Sequence, residues 1–373
     1  MQCKQPSLSF INIRTGDLHA EIWEALKDGY WRSADFVAHE TNTLSGVRAR
    51  AHIVPVLADL IPIELGQTWN QLEKQINEVK FTPNTFECGL DEFLGRSEKF
   101  FKKFADKRIG VQLSCGVDSS LIIGLLKYFR ISHSLVGFCT DRYEFRTESF
   151  IQKLLANQAE RSQLINYEDF LPYAGLFGVI PHQLPNLSSA GLATDQAMAL
   201  NCVDLGVDIL LTGCGGDVAF GNEVHSDRCS WIPAIFNDSW LQDIVYTPKG
   251  VHVVSFFSDH EILECLWNLR LGQEADPRKL WARNFFRDFL PRELVDYTYK
   301  ADFWGLYIDG LNNSLPEIRN IHKKAYELSR NPYFEEDNLK QVLKNDLYNC
   351  DQKLYQKLEA RISSAVWINS ILN

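Results

Sequence analysis

The sequence predicts an α/β protein: a doubly wound, mostly parallel sheet with an N-terminal α+β extension and a helical C-terminal part. Three observations lead there. From Arg108 onward, short apolar runs alternate with amphipathic stretches of about a dozen residues, the texture of strand–helix units in a parallel sheet. Two of the apolar runs end in small, glycine-bearing turns that each carry one aspartate. Before and after this region the texture changes, to mixed short runs on one side and to aromatic, charged helical patterns on the other.

The elements follow in chain order. Residues 1–95 hold runs such as HIVPVLADLIPIEL between turn signals and form an extension of undetermined role, separate from a domain over 96–373. LDEFLGRSEKFFKKFADK, Leu90 to Lys107, has helical apolar spacing and leads into the first strand. RIGVQLS reads as a strand followed by the helix SSLIIGLLKYFR; SLVGFCTD is a second strand followed by TESFIQKLLANQAER. SQLINY is a third strand, and the helix ATDQAMALNCVDLG precedes the strand VDILLTG. FSDHEILECLWNLRLG and the stretch from Asp337 to Leu372 are helical patterns.

Composition narrows the function classes. The chain has 373 residues, is 45% hydrophobic and carries a formal net charge of −10, which argues against a long nucleic-acid backbone as partner. No apolar run of about 18 residues is present, and MQCKQPSLSF lacks the order of a signal peptide, so a cytoplasmic protein without a membrane partner is expected. The nine cysteines are scattered without zinc-site spacing and read as reduced thiols.

The two turns are the chemical signal. Ser114, Cys115, Gly116, Val117, Asp118, Ser119 and Ser120 follow the first strand, and their small side chains let backbone N–H groups converge on an anion at a helix N-terminus. A carboxylate beside a phosphate makes sense with a divalent cation between them, which nominates Asp118 as a metal ligand. Gly213, Cys214, Gly215, Gly216 and Asp217 follow the later strand and offer a second close backbone approach and a second carboxylate. Neither turn matches a Walker or dinucleotide fingerprint.

SCGVDSS resembles the S-G-G-x-D-S pyrophosphate loop of the ATP pyrophosphatases, and LLTGCGGDVAFG resembles the L-T-G-D-G-G-D-E-x-F-G segment of their asparagine synthetase branch. GVHVVSFFSD, 250–259, is similar to that branch's G-L-E-x-R-x-P-F-L-D, and Leu290-Pro291 with Lys300 and Phe303 to its late L-P…K-x-x-F stretch. The four segments come in family order over about residues 108–310. The resemblance implies an adenine nucleotide alpha hydrolase-like fold, ATP and Mg2+ as cofactors, and adenylation of a carboxylate or carbonyl oxygen with release of pyrophosphate. A nucleophile then displaces AMP to form an amide or C–N bond. On this reading the 114–120 and 213–216 loops bind the nucleotide, Asp118 and Asp217 hold magnesium, and Lys300 faces the transition-state charge.

Departures from the pattern shape the rest. Gln2 stands where a glutaminase nucleophile would be expected and about 107 residues precede the first strand, so ammonia from glutamine is not expected from this chain. Cys214 replaces the branch's first aspartate, His252 its glutamate, where it could serve as base, and Val218 a later glutamate. Cys115 and Cys214 could instead carry sulfur onto the adenylated carbonyl of a purine-like heterocycle. A small-molecule acceptor is expected in both chemistries, with the amine, ammonia or sulfur supplied by a separate donor protein; a non-catalytic nucleotide-binding scaffold is a third class.

Overall fold

The computed structural model describes residues 9–12, 18–19, 36–39, 88–176, 189–220, 245–270, 276, 278–297, 303–329, 334 and isolated helical positions between 358 and 369. The chain forms two compact units. One gathers residues 1–79, 171–193 and 304–373; the other gathers 80–170 and 194–303. The C-terminal helical part therefore groups with the N-terminal stretch, whereas the sequence assigned it to the domain over 96–373.

In the first unit, β1 (Ser9–Asn12) pairs antiparallel with β2 (Leu18–His19) and β3 (Phe36–His39) in the order β2-β1-β3. The N-terminal run HIVPVLADLIPIEL and most of the expected helix over 337–372 lie outside the described residues. The long C-terminal helix of this unit, Trp304–Ser329, buries Leu306, Ile308, Leu311, Ile318, Ile321 and Ala325.

The second unit is an α/β sheet. It begins with α1 (Leu90–Lys102), whose acidic first turn and basic last turn suit the helix dipole. Instead of merely feeding the first strand, α1 packs its Phe93, Phe100 and Phe101 against Phe256, with Phe101 stacked on that ring at 5.5 Å. Then come β4 (Ile109–Leu113), α2 (Val117–Tyr128), β5 (His133–Cys139), α3 (Arg146–Asn157) and β6 (Arg161–Asn166). These are followed by α4 (Leu192–Asp204), β7 (Ile209–Thr212), α5 (Gly216–Phe220), β8 (His252–Ser255), α6 (His260–Leu269), α7 (Leu280–Phe285) and α8 (Arg292–Asp296).

All five strands are parallel, in the order β6-β5-β4-β7-β8. The chain moves outward from β4 to β6 and then returns to lay β7 on the other side of β4. That reversal opens a crevice between the carboxyl ends of β4 and β7, the place where open α/β sheets bind ligands. The central strands read as continuous apolar runs because they are covered on both faces: β7 is buried throughout, and β4 at every position except Gln112.

The cysteines depart from the expectation of nine reduced thiols. Cys88, just before α1, is joined to Cys265 of α6 by a disulfide, with their Cα atoms 6.2 Å apart; Cys115, Cys139, Cys202 and Cys214 are free. A separation of 177 residues left no spacing signal; the packing of α1 on α6 creates the proximity. Among the described residues, no helix is long and apolar enough to cross a membrane.

Candidate nucleotide-binding site at the sheet crossover

The two small-residue turns meet at the crevice. Leaving β4, the chain bends through Cys115, which holds a left-handed φ of 60°, and enters α2 at Gly116. A side chain in that conformation costs about 1–2 kcal/mol, so Cys115 stands where glycine would be easier. No side chain caps α2, leaving its first N–H groups for an external acceptor. Ser114 and Ser119 face each other across the turn, Oγ to Oγ 3.0 Å, and the Ser114 N–H donates to Ser119 Oγ at 3.3 Å.

The second turn comes within contact distance of the first. A Cβ on Gly216 would lie 2.4 Å from Asp118 Cγ, and one on Gly213 would lie 3.0 Å from Asp118 Cβ. Only residues without a side chain let the turns approach so closely. Gly215 supplies the remaining left-handed bend, at φ 81°. Ser255 at the end of β8 braces the turn by donating to the Cys214 carbonyl at 2.6 Å.

Among the described residues, both carboxylates converge on the Lys279 ammonium. Its Nζ donates to Asp118 Oδ1 and Oδ2 at 2.5 and 2.6 Å and lies 2.8 Å from Asp217 Oδ1. Lys279 is 5% exposed, sits in the left-handed region at φ 54° as the residue preceding α7, and places Nζ 5.4 Å from the Phe220 ring centre. Sequence reasoning missed it. It lies 161 residues from Asp118 and outside every matched motif; the one retrospective cue is a lysine immediately before a helix that returns to the crevice.

Other expected site residues are distributed unevenly. Ser114, Gly116, Val117, Asp118, Ser119, Gly213, Gly215, Gly216 and Asp217 gather at the crevice. Ser120 is buried and lines a groove of about 560 Å³ with Gly124, Lys127, Phe289 and Leu290, beside α2 instead of within the turn. His252 is a correction: it pairs with Ile209 at the amino end of the sheet and is exposed, so it is not placed to act as base at the carboxyl end. The parallel register puts Ser255, at the other end of β8, beside Thr212. Lys300 lies outside the described residues.

The two cysteines of the turns differ. Cys115 is packed into the apolar core, and burial together with the nearby Glu148 carboxylate pushes its thiol up to about 12. Glu148 accepts a hydrogen bond from the Tyr297 hydroxyl at 2.8 Å. Cys214 is half-buried. Near it, the Tyr246 hydroxyl donates to Asp195 Oδ1 at 2.8 Å, and burial and that carboxylate raise the phenol well above its ordinary value. Among aromatic residues of the C-terminal half, Phe286 is core, Phe285 is exposed and Trp281 donates its indole N–H to the Phe220 carbonyl, while Trp304 and Tyr307 belong to the other unit.

Magnesium fits this donor set in one way. Among the described residues no group of three or more His, Cys, Asp or Glu could hold a metal. Magnesium in nucleotide sites is held by one or two carboxylates plus phosphate oxygens and waters, and Asp118 and Asp217 supply two carboxylates aimed at one point. No family model matches the sequence, and no curated protein is significantly similar to it.

Proposed function

We propose that this chain is an AMP-forming, ATP-dependent ligase with an adenine nucleotide alpha hydrolase-like fold, related to the asparagine synthetase branch of the ATP pyrophosphatases. The reading rests above all on one observation: two aspartates, from the turns after β4 and β7, converge on a single cation position at the sheet crossover. The α2 N-terminus, with the Ser114 and Ser119 hydroxyls, binds the pyrophosphate portion of ATP. Asp118 and Asp217 would hold the magnesium, which offsets charge on the leaving pyrophosphate. Lys279 adds a buried positive charge within reach of the same phosphates, the preorganised electrostatics that phosphoryl and nucleotidyl transfer depend on. Lys300 is proposed to face the reacting phosphorus on the strength of its motif alone.

An oxygen of a small carboxylate or carbonyl compound attacks the α-phosphorus, pyrophosphate leaves, and a nitrogen nucleophile then displaces AMP. Sulfur transfer is less well supported, because the Cys115 thiol is held protonated within the core. The test is pyrophosphate release from ATP and magnesium in the presence of candidate carboxylates and amines, with ATP–pyrophosphate exchange as the partial reaction. Acceptor-dependent exchange is the expected result; nucleotide binding without exchange under any acceptor would point to a scaffold instead. Replacing Cys214 by serine separates the chemistries: C–N bond formation tolerates it, and sulfur transfer through that thiol does not.

A further inference from the structure

The geometry points to Lys279 and magnesium as competitors for one seat: the ammonium holds Asp118 and Asp217 together, and metal entering with the nucleotide displaces it onto the phosphates. This inference rests on the nucleotide-site reading above and adds a switching role for a residue outside every matched motif.

The ammonium covers the face on which the two carboxylates converge, touching both oxygens of Asp118 and Oδ1 of Asp217. A magnesium ion bonded to both carboxylates on that face needs their oxygens at about 2.0–2.1 Å. It would therefore stand where Nζ stands, and two cations so close repel.

The backbone of Lys279 is fixed, and its buried side chain is held at Nζ by the two carboxylates that a metal would take over. The Lys279 N–H donates to the Asp276 carbonyl at 2.9 Å, and its carbonyl accepts from the Arg283 N–H at 2.9 Å. On this proposal eviction is a turn about the bonds of the flexible lysine stem, with the backbone bonds at both sides of Lys279 kept. The released ammonium remains tethered at the mouth of the α2 N-terminus, where phosphate arrives. The same residue spaces the carboxylates before the metal binds and grips the nucleotide afterwards, so metal alone binds poorly and metal with nucleotide binds well.

The test is Mn2+ binding to the full-length protein without nucleotide, followed by electron paramagnetic resonance. Lys279→Met should bind Mn2+ at least about tenfold more tightly than the wild type, since the competing charge is gone. Its melting temperature should fall below wild type in chelator and recover with Mn2+, a rescue that a purely structural lysine would not give. Equal or weaker Mn2+ binding by Lys279→Met overturns the inference, as does failure of both proteins to bind. Should the variant not fold, acetylation of Lys279 in the wild type provides the reading: it should rise with saturating Mn2+, and an unchanged level overturns the inference. Absence of ATP–pyrophosphate exchange would sink the ligase reading without affecting tighter Mn2+ binding in the variant, so the two failures are separable.

Discussion

The two ends of the parallel sheet each tie β4 to β7 with a charged contact, yet they are built on opposite principles. At the amino end, the Arg108 guanidinium meets Asp208 in a fork, Nε to Oδ2 at 3.0 Å and Nη2 to Oδ1 at 2.8 Å, and the Arg108 backbone N–H joins at 2.9 Å. The partners lie one residue before each strand and the arginine is open to water. At the carboxyl end a buried lysine from a distant segment serves two aspartates at once. An exposed, charge-balanced clamp contributes little and depends on nothing else. A buried ammonium is costly to desolvate unless carboxylates compensate it, and here two of them do. The contrast sets a shared, long-range contact at the carboxyl end against a local pair at the amino end.

Substitutions can break or sharpen this contrast, and the largest effect belongs to the carboxylates. Asp118→Asn or Asp217→Asn should reduce pyrophosphate release by at least about a hundredfold, measured at saturating ATP and magnesium. Turnover within a factor of a few of wild type would remove the carboxyl end from the chemistry.

Glycine replacements probe the two ends next. Gly216→Ala drives a methyl into Asp118 and should cost about 1–3 kcal/mol in denaturant unfolding, with a large loss of turnover. Gly206→Ala at the amino end meets only the far end of the Arg108 side chain, and its φ of 70° costs about 1–2 kcal/mol with turnover unchanged. Equal loss of turnover in both variants would erase the distinction.

Smaller effects attach to single ionisable groups. With its thiol pushed up to about 12, Cys115 should resist iodoacetamide at pH 8 in the native protein while Cys214 labels; Cys115→Ser should retain most turnover. The smallest effect is expected from Asp208→Asn. The Arg108 partner holds the Asp208 carboxyl well below its ordinary range. A depressed carboxyl contributes its stability above the unfolded value near about 4 and loses it as pH falls through the folded value. The variant should therefore melt about 2 °C or less below wild type at pH 7 and low salt, with the gap closing in high salt and in acid.

The sequence carried the sheet well, because parallel strands covered on both faces must be apolar along their length and their helices must be amphipathic. The turns were legible too: glycines beside an aspartate state a close-approach requirement locally. Lys279 was not legible, since a lysine declares nothing until the fold brings it to its partners across 161 residues. His252 was misassigned for a related reason. A motif places a residue on a strand, but only the register with β7 decides which end of the sheet it occupies. The Cys88–Cys265 pairing depended in the same way on α1 lying against α6.

The fit of Asp118 against Gly213 and Gly216 has a mechanical consequence. The two bends fit so closely that a single methyl on either Gly213 or Gly216 would have to push Asp118 out of its place. Any ligand of this crevice would therefore meet an Asp118 whose position is set by the facing turn. Selectivity for a bound anion would then be built into these two glycines as much as into any charged group.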